Sequence, residues 1–328
     1  MTGLPTAPPV RVAALDCGTH SLRLLIADVD PATGTLTDVE RTMEIVRLGE
    51  GVDTTGRLSP EALERTLTVT ARYAERCGDL GAQHVRFVAT SATRDAENRE
   101  ELVRGVRHLL GVDPEVISGE EEAALSFDGA TSDLIARGEL GPFLVVDLGG
   151  GSTELVLGDA VPRAVCSMQV GCVRLTERHL ASDPPTPEQV RAALADADRA
   201  LDAAMRIVPF QQARTLVGLS GTVTTATALA LELPRYDPAA IHGAHVPAER
   251  MRQICRDLLA MTRADRVALP CLHPGRVDVI AGGALLWERI VDRVLAAGGV
   301  DRIVTSERDI LDGLARSLAR PPTSPPAR

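Results

Sequence analysis

The chain has 328 residues, 45% of them hydrophobic and 24% charged, with a mean hydropathy of +0.04 and a formal net charge of −10. That length suits two domains of ordinary size rather than one small core. The acid excess disfavours a duplex-binding surface, and an aromatic content of 2% removes the stacking platforms of single-strand binders, so no nucleic-acid partner is expected.

All 35 basic residues counted as Lys or Arg are Arg. A Walker-type P-loop needs its Lys, so any phosphate binding here must use backbone N–H groups, Arg and metal. The six cysteines form no C-x-x-C pair and read as reduced, mostly buried thiols. MTGLPTAPPV has neither the basic start nor the apolar run of a signal peptide, and no stretch approaches the ~20 apolar residues of a membrane span. A cytoplasmic protein without a membrane partner is expected.

Residues 1–10 and 319–328 read as flexible tails. Val12 to Leu15 and Leu22 to Asp28 read as two strands joined by the CGTHS turn. Ser59 and Pro60 start a helix over 60–76 that carries Leu63, Leu67 and Thr70 at helical spacing. Val85 to Ala89 is a short buried strand, the polar TSATRDAENR follows, and a helix over 99–110 ends at Gly111. Ser118 and Glu121 have the spacing of a capping box for the next helix. Phe143 to Val146 is a strand, 187–207 a long amphipathic helix, and Leu216 to Leu219 a strand running into SGTVTT. Helices over 250–261, 277–295 and 309–318 complete an α/β pattern. Polarity and glycine rise over 130–141, which puts a hinge there and divides the chain into 11–130 and 131–318.

VAALDCGTHSLRLLIAD (12–28) and LVVDLGGGSTELVLGD (144–159) are two versions of one phrase. Asp16 corresponds to Asp147, Gly18 to Gly149 and Ser21 to Ser152. Glycines let a backbone approach phosphate closely and reach positive φ, so successive N–H groups can point at its oxygens. Gly149, Gly150 and Gly151 make the stronger nest, and the Gly18-Thr19-His20-Ser21 turn the weaker. The paired Asp residues would face one cleft, close enough to hold Mg²⁺. Glu154, alone in an apolar strand, suits the same metal.

Glu120-Glu121-Glu122 opens a helix, where acids also serve simply to complement the macrodipole. A carboxylate near polyphosphate would instead have its pKa raised and suit a general base. Arg94 could fork onto phosphate oxygens or pair with Asp95 or Glu97. Ser220, Gly221 and Thr222 read as a third phosphate loop between strand and helix. His242 and His245 have H-x-x-H spacing without a third ligand, and no metal is expected on them.

In order along the chain, DCGTHSLRLL, VATSATRDAENRE, ISGEEEAAL, VVDLGGGSTELVLG, SMQVGCVRLTE and GLSGTVTT resemble the exopolyphosphatase / guanosine pentaphosphate phosphohydrolase (Ppx/GppA) family. The resemblance runs from Val12 to about Leu318. It implies an α/β fold of two ribonuclease-H-like lobes, as in actin-like ATPases and sugar kinases, with an active-site cleft between them and a last helix able to pack back on the first lobe. It further implies Glu122 as catalytic base, Asp147 and Glu154 as metal-associated acids with Asp16 facing them, and phosphate contacts from Gly149, Gly150, Ser152, Arg94 and the Thr19-His20-Ser21 loop. His20 stands where the family usually has Asn, which makes a pH-sensitive phosphate contact an open alternative.

The activity implied is Mg²⁺-dependent release of orthophosphate from the end of inorganic polyphosphate, with Mn²⁺ as an alternative ion and room for a monovalent cation. Three rivals stand beside it: 5′-phosphohydrolysis of guanosine pentaphosphate by the same base, an ATP-dependent kinase of the same superfamily, against which the SGEEE base argues, and a silent sensor that binds polyphosphate or alarmone. Homodimers are frequent among such enzymes. The chain looks like the short, two-domain form, from which weaker retention of long polyphosphate is expected.

Overall fold

The computed structural model describes residues 8–298, 300 and 302–319. Of the two expected tails, residues 1–7 and 320–328 lie outside the described residues. Val10 already belongs to the first strand, and Ala319 closes the last helix.

The first sheet contains β1 (Val10–Cys17), β2 (Ser21–Val29), β3 (Leu36–Ile45), β4 (His84–Ala89) and β5 (Glu115–Val116), in the order β3-β2-β1-β4-β5. Its helices are α1 (Val52–Thr55), α2 (Pro60–Asp79), α3 (Ser91–Asp95) and α4 (Arg99–Leu110). The second sheet contains β6 (Phe143–Leu148), β7 (Thr153–Gly158), β8 (Pro162–Met168), β9 (Thr215–Leu219), β10 (His245–Pro247) and β11 (Arg302–Thr305), in the order β10-β11-β9-β6-β7-β8. Around it run α5 (Gly119–Ala136), α6 (Cys172–His179), α7 (Pro187–Ala204), α8 (Ser220–Ala230), α9 (Pro238–Ile241), α10 (Ala248–Ala260), α11 (Arg263–Val267) and α12 (Ile280–Ala297), while α13 (Ile310–Ala319) returns to the first sheet.

Without the edge strand β10, the second sheet reads β8-β7-β6-β9-β11, the first sheet's order repeated. In both, three antiparallel strands pass into parallel pairing at the fourth. The sequence repeat is therefore the first hairpin of a duplicated sheet.

Local signals set the helix ends. Ser59 accepts from the Ala62 N–H and Pro60 takes the first position of α2, while Gly111, at φ +68°, closes α4. The capping box expected at α5 is only half formed. Ser118 Oγ accepts from the Glu121 N–H at 3.2 Å, but the Glu121 carboxylate turns outward to Arg86 at 2.8 Å.

Each sheet is covered on both faces, so its strands read as apolar runs. One face of the first sheet packs on α2 and α4, with Leu63, Val69, Leu102 and Val106. Its other face packs on α13 through Ile310, Leu311, Leu314 and Ala315. The second sheet lays Val145, Val156, Val217 and Val304 against Ala123, Phe127, Ala130 and Leu134 of α5. All four Phe and the one Trp are buried to 1% exposure or less, so the rare aromatics sit inside cores otherwise built of Leu, Val, Ile and Ala.

The boundary expected at 130/131 falls inside α5, which runs unbroken over 119–136 and packs on the second sheet. Between the sheets α5 and α13 cross closely. A Cβ on Gly129 would lie 1.7 Å from the Asp309 carbonyl oxygen, and one on Gly313 would lie 2.2 Å from that of Leu125. No helix among the described residues is long and apolar enough to cross a membrane.

Candidate active site

The cleft lies at the carboxyl ends of β1, β4, β6 and β9, where open α/β sheets bind ligands. A cavity of about 100 Å³ there is lined by Asp16, Thr19, His20, Ser21, Glu122, Asp147, Gly149, Gly150, Gly151, Ser152, Glu154, Ser220, Gly221 and Thr222. Every residue expected in the sequence to act as base, hold phosphate or hold metal is in this set except Arg94. Arg23, Thr90, Ser91 and Arg276 also line it and were missed.

Arg23 had a signal. It lies seven residues after Asp16, as Glu154 lies seven after Asp147. The antiparallel register pairs Asp16 with Arg23 and Asp147 with Glu154, placing each pair side by side. The two hairpins thus present opposite electrostatics from one framework. In the first, Arg23 donates to Asp16 Oδ2 from Nε at 2.9 Å and also holds Asp309. In the second, two acids stand together. Arg276 comes from a segment without a motif, and nothing in the sequence marked it.

The nest is oriented from behind. The Gly149 carbonyl accepts from the Cys172 N–H at 3.0 Å, that of Gly150 from the Val173 N–H at 2.9 Å, and that of Gly151 from Arg174 Nε at 2.8 Å. In a planar trans peptide the N–H points opposite to the C=O. The N–H groups of Gly150, Gly151 and Ser152 are therefore turned away from these α6 partners, and all three residues line the cavity. Positive φ, expected of these glycines, is absent from Gly18, Gly149, Gly150 and Gly151. Close approach is what requires them: a Cβ on Gly151 would lie 2.7 Å from both Thr19 Oγ1 and Ser91 Oγ. Those two hydroxyls are buried and unpartnered, as are Thr93 Oγ1 and Arg94 Nη2. Unpaired buried donors cost about 1–3 kcal/mol each, and the Thr19 and Ser91 hydroxyls, whose residues line the cavity, are ones a polyanion would relieve.

Arg94 lies behind the cavity wall. Its Nη1 donates to Glu122 Oε2 at 2.6 Å and to the Ile117 carbonyl at 3.0 Å, so it grips the candidate base rather than Asp95 or Glu97. Burial pushes Glu122 up to about 7, Arg94 opposes this, and the charges of Asp16 and Asp147 add to it. Glu154 is raised well above the usual range by burial, then by Glu122 and Asp147. Its Oε1 accepts from Ser167 Oγ at 2.8 Å. Asp147 Oδ2 accepts from Ser126 Oγ at 2.6 Å, and its other oxygen accepts from Ser220. Ser220 makes that contact from the left-handed region, at φ +71°, a strained backbone for a residue with a Cβ.

A divalent cation fits this donor set. Glu122, Asp147 and Glu154 gather three carboxyl groups in one cavity, where Arg94 is hydrogen-bonded to Glu122 and Arg23 to Asp16 and Asp309. Among the described residues no three His, Cys, Asp or Glu side chains form a ready metal cage. One or two carboxylates completed by phosphate oxygens and water is the usual arrangement for Mg²⁺.

His20 is turned to the other lobe. Its Nε2 lies 2.9 Å from the Gly275 carbonyl oxygen, and burial lowers its pKa. The neutral ring then donates from Nε2 and leaves Nδ1 an acceptor, which does not suit phosphate. His242 and His245 have separate partners, Asp133 at 2.7 Å and Glu139 at 2.6 Å. A larger cavity of about 420 Å³ adjoins the first and shares Arg23, Ser220, Gly221 and Arg276 with it.

Two ribonuclease-H-like lobes closing on a phosphate nest and an acidic cluster define the actin-like ATPase fold. A solved exopolyphosphatase-like protein superposes with a TM-score of 0.91 at 46% identity, covering 95% of this chain and 98% of its own. Exopolyphosphatase 2 of Mycobacterium tuberculosis is 51% identical over 316 residues, 94% of this chain and 98% of that protein. The guanosine-5′-triphosphate,3′-diphosphate pyrophosphatase of Aeromonas salmonicida is 30% identical over 88% of this chain, which spans 57% of that relative. The Ppx/GppA phosphatase family model matches residues 25–301. The chain belongs to the Ppx/GppA phosphatase family.

Proposed function

We propose that this protein is an exopolyphosphatase that hydrolyses the terminal phosphoanhydride of inorganic polyphosphate and releases orthophosphate. The observation that carries the reading is Glu122, raised to about 7 and sharing one cavity with the nest amides. The N–H groups of Gly150, Gly151 and Ser152 hold the terminal phosphoryl oxygens, and the hydroxyls of Thr19 and Ser91 are placed to add to them. Glu122, aimed by Arg94, takes a proton from water as the water oxygen bonds to the terminal phosphorus. The bridging P–O bond breaks, and the shortened chain leaves with the electron pair. Mg²⁺, or Mn²⁺ in its place, bound at Asp147 and Glu154, would neutralise charge on the transferring group. Asp16 serves to hold Arg23, its neighbour on the same hairpin.

The larger cavity favours a second reading. Its walls include Tyr236, Leu272 and Pro274 beside Arg23 and Arg276, a lining that accommodates the nucleoside end of guanosine pentaphosphate as readily as a phosphate chain. Phosphate release from polyphosphate, guanosine pentaphosphate and ATP, with and without Mg²⁺, separates the readings. Fastest release from polyphosphate supports the proposal, and binding without release from any of them points to a sensor. Glu122→Gln is expected to cut turnover by about 10²–10⁴-fold, the usual share of a general base, while polyphosphate binding persists. Near-wild-type turnover in that variant rules out Glu122 as the base.

A further inference from the structure

Arg174 joins three parts of the cleft that the sequence keeps far apart. Its Nε donates to the Gly151 carbonyl at 2.8 Å, Nη1 to Asp53 at 2.6 Å and Nη2 to Asp95 at 2.6 Å, and its side chain is 12% exposed. Asp53 and Asp95 belong to the first lobe, Arg174 and Gly151 to the second. Asp95 ends α3, the segment that also carries Ser91 in the cavity wall and Arg94 on Glu122. One guanidinium therefore holds the nest from behind and draws down the segment that aims the base.

We propose that Arg174 is a positioning residue for catalysis, fixing the Ser152 N–H through the Gly151 carbonyl and tying the nest to the α3 segment that orients Glu122. The peptide plane supplies the first half. With the Gly151 carbonyl held on the α6 side, the Ser152 N–H is held on the opposite side. The second half follows from chain adjacency, since Asp95 cannot shift without moving Arg94. Arg suits this role and Lys does not, because the three acceptors are met by three separate nitrogens of a planar fork, where Lys has a single nitrogen. Neighbouring Arg178 also pairs with Asp53, through Nη2 at 2.7 Å, but has no contact with the nest among the described residues.

The catalytic half of this inference rests on the phosphohydrolase reading; the mechanical half does not. The test compares Arg174→Ala, Arg174→Lys and Arg178→Ala for kcat and KM on polyphosphate, and for hydrogen exchange in the unliganded enzyme. Arg174→Ala is expected to lower kcat about 10²-fold, near the loss of one oxyanion donor, with a smaller change in KM. Added guanidinium should restore part of that loss, Lys should restore little, and Arg178→Ala should stay within a few fold of wild type. Exchange should quicken at the Cys172 and Val173 amides, which donate to Gly149 and Gly150, and at the Arg94 amide, which donates to Thr90.

An unchanged kcat in Arg174→Ala, or an equal loss in Arg178→Ala, overturns the proposal, the latter because a lobe latch alone would then suffice. If wild type releases no phosphate from any substrate, the functional reading fails by itself. Exchange then decides the tie: faster exchange in both segments supports it, and unchanged exchange overturns it.

Discussion

Replacing Arg94 by Gln should move the pH dependence of the reaction more than its maximum. Among the described residues Arg94 is the only cation hydrogen-bonded to Glu122, at 2.6 Å, and it opposes burial and the charges of Asp16 and Asp147, which together leave the carboxyl at about 7. Loss of an opposite charge in contact raises a carboxyl by about 1–3 pH units. At pH 7 about half of wild-type Glu122 is ionised. A shift of that size leaves roughly one tenth to one thousandth ionised, a fall of about 5- to 500-fold in kcat/KM. The sign is fixed by chemistry: a base must be deprotonated, so activity returns as pH rises. The assay is phosphate release from polyphosphate across pH 6–10 at constant Mg²⁺, for wild type and Arg94→Gln. A variant whose acid limb stays at the wild-type position while KM rises would refute the reasoning. It would show instead that the buried, unpartnered Arg94 Nη2 serves the phosphate.

Two further outcomes are expected. Burial lowers the pKa of His20, so its neutral form is favoured in the folded state, and the stability it contributes is present above its ordinary value of 6.5 and lost as pH falls. Melting curves from pH 7 down to 5 should fall less steeply for His20→Asn than for wild type; equal slopes would remove His20 as the titrating group. Gly129→Ala places a Cβ 1.7 Å from the Asp309 carbonyl oxygen at the crossing of α5 and α13, a backbone atom that cannot swing aside. Overpacking of this kind costs about 1–3 kcal/mol, and urea unfolding that matches wild type would show the helices free to separate.

The two Asp-Gly-Ser turns, with the SGEEE and SGT segments, were enough to assemble the cavity on paper because each element carries its own local code. Apolar runs ending in Asp make strands that stop at the cleft, and small residues after them leave room for phosphate. Spacing alone could not assign roles within that set. Arg94 was weighed as a phosphate ligand or a partner of Asp95, yet it holds Glu122, because α3 turns its guanidinium back under Ile117. His20 occupies a phosphate-loop position and bonds instead to Gly275, 255 residues away in the chain. The glycines of the nest were credited with positive φ when their lack of a Cβ was what mattered.

The sequence by itself determined the α/β pattern, the duplication and the chemistry of the cleft, since alternation, caps and motif spacing act within a few residues of one another. The tertiary structure alone decided how deeply the charges of that cleft are buried. Asp16 is neutralised by Arg23, while Asp147, in the same place on the second sheet, stands beside Glu154. Burial then raises Glu154 and Glu122, and no local pattern encodes burial, because it depends on α5, α13 and both sheets closing over one cavity.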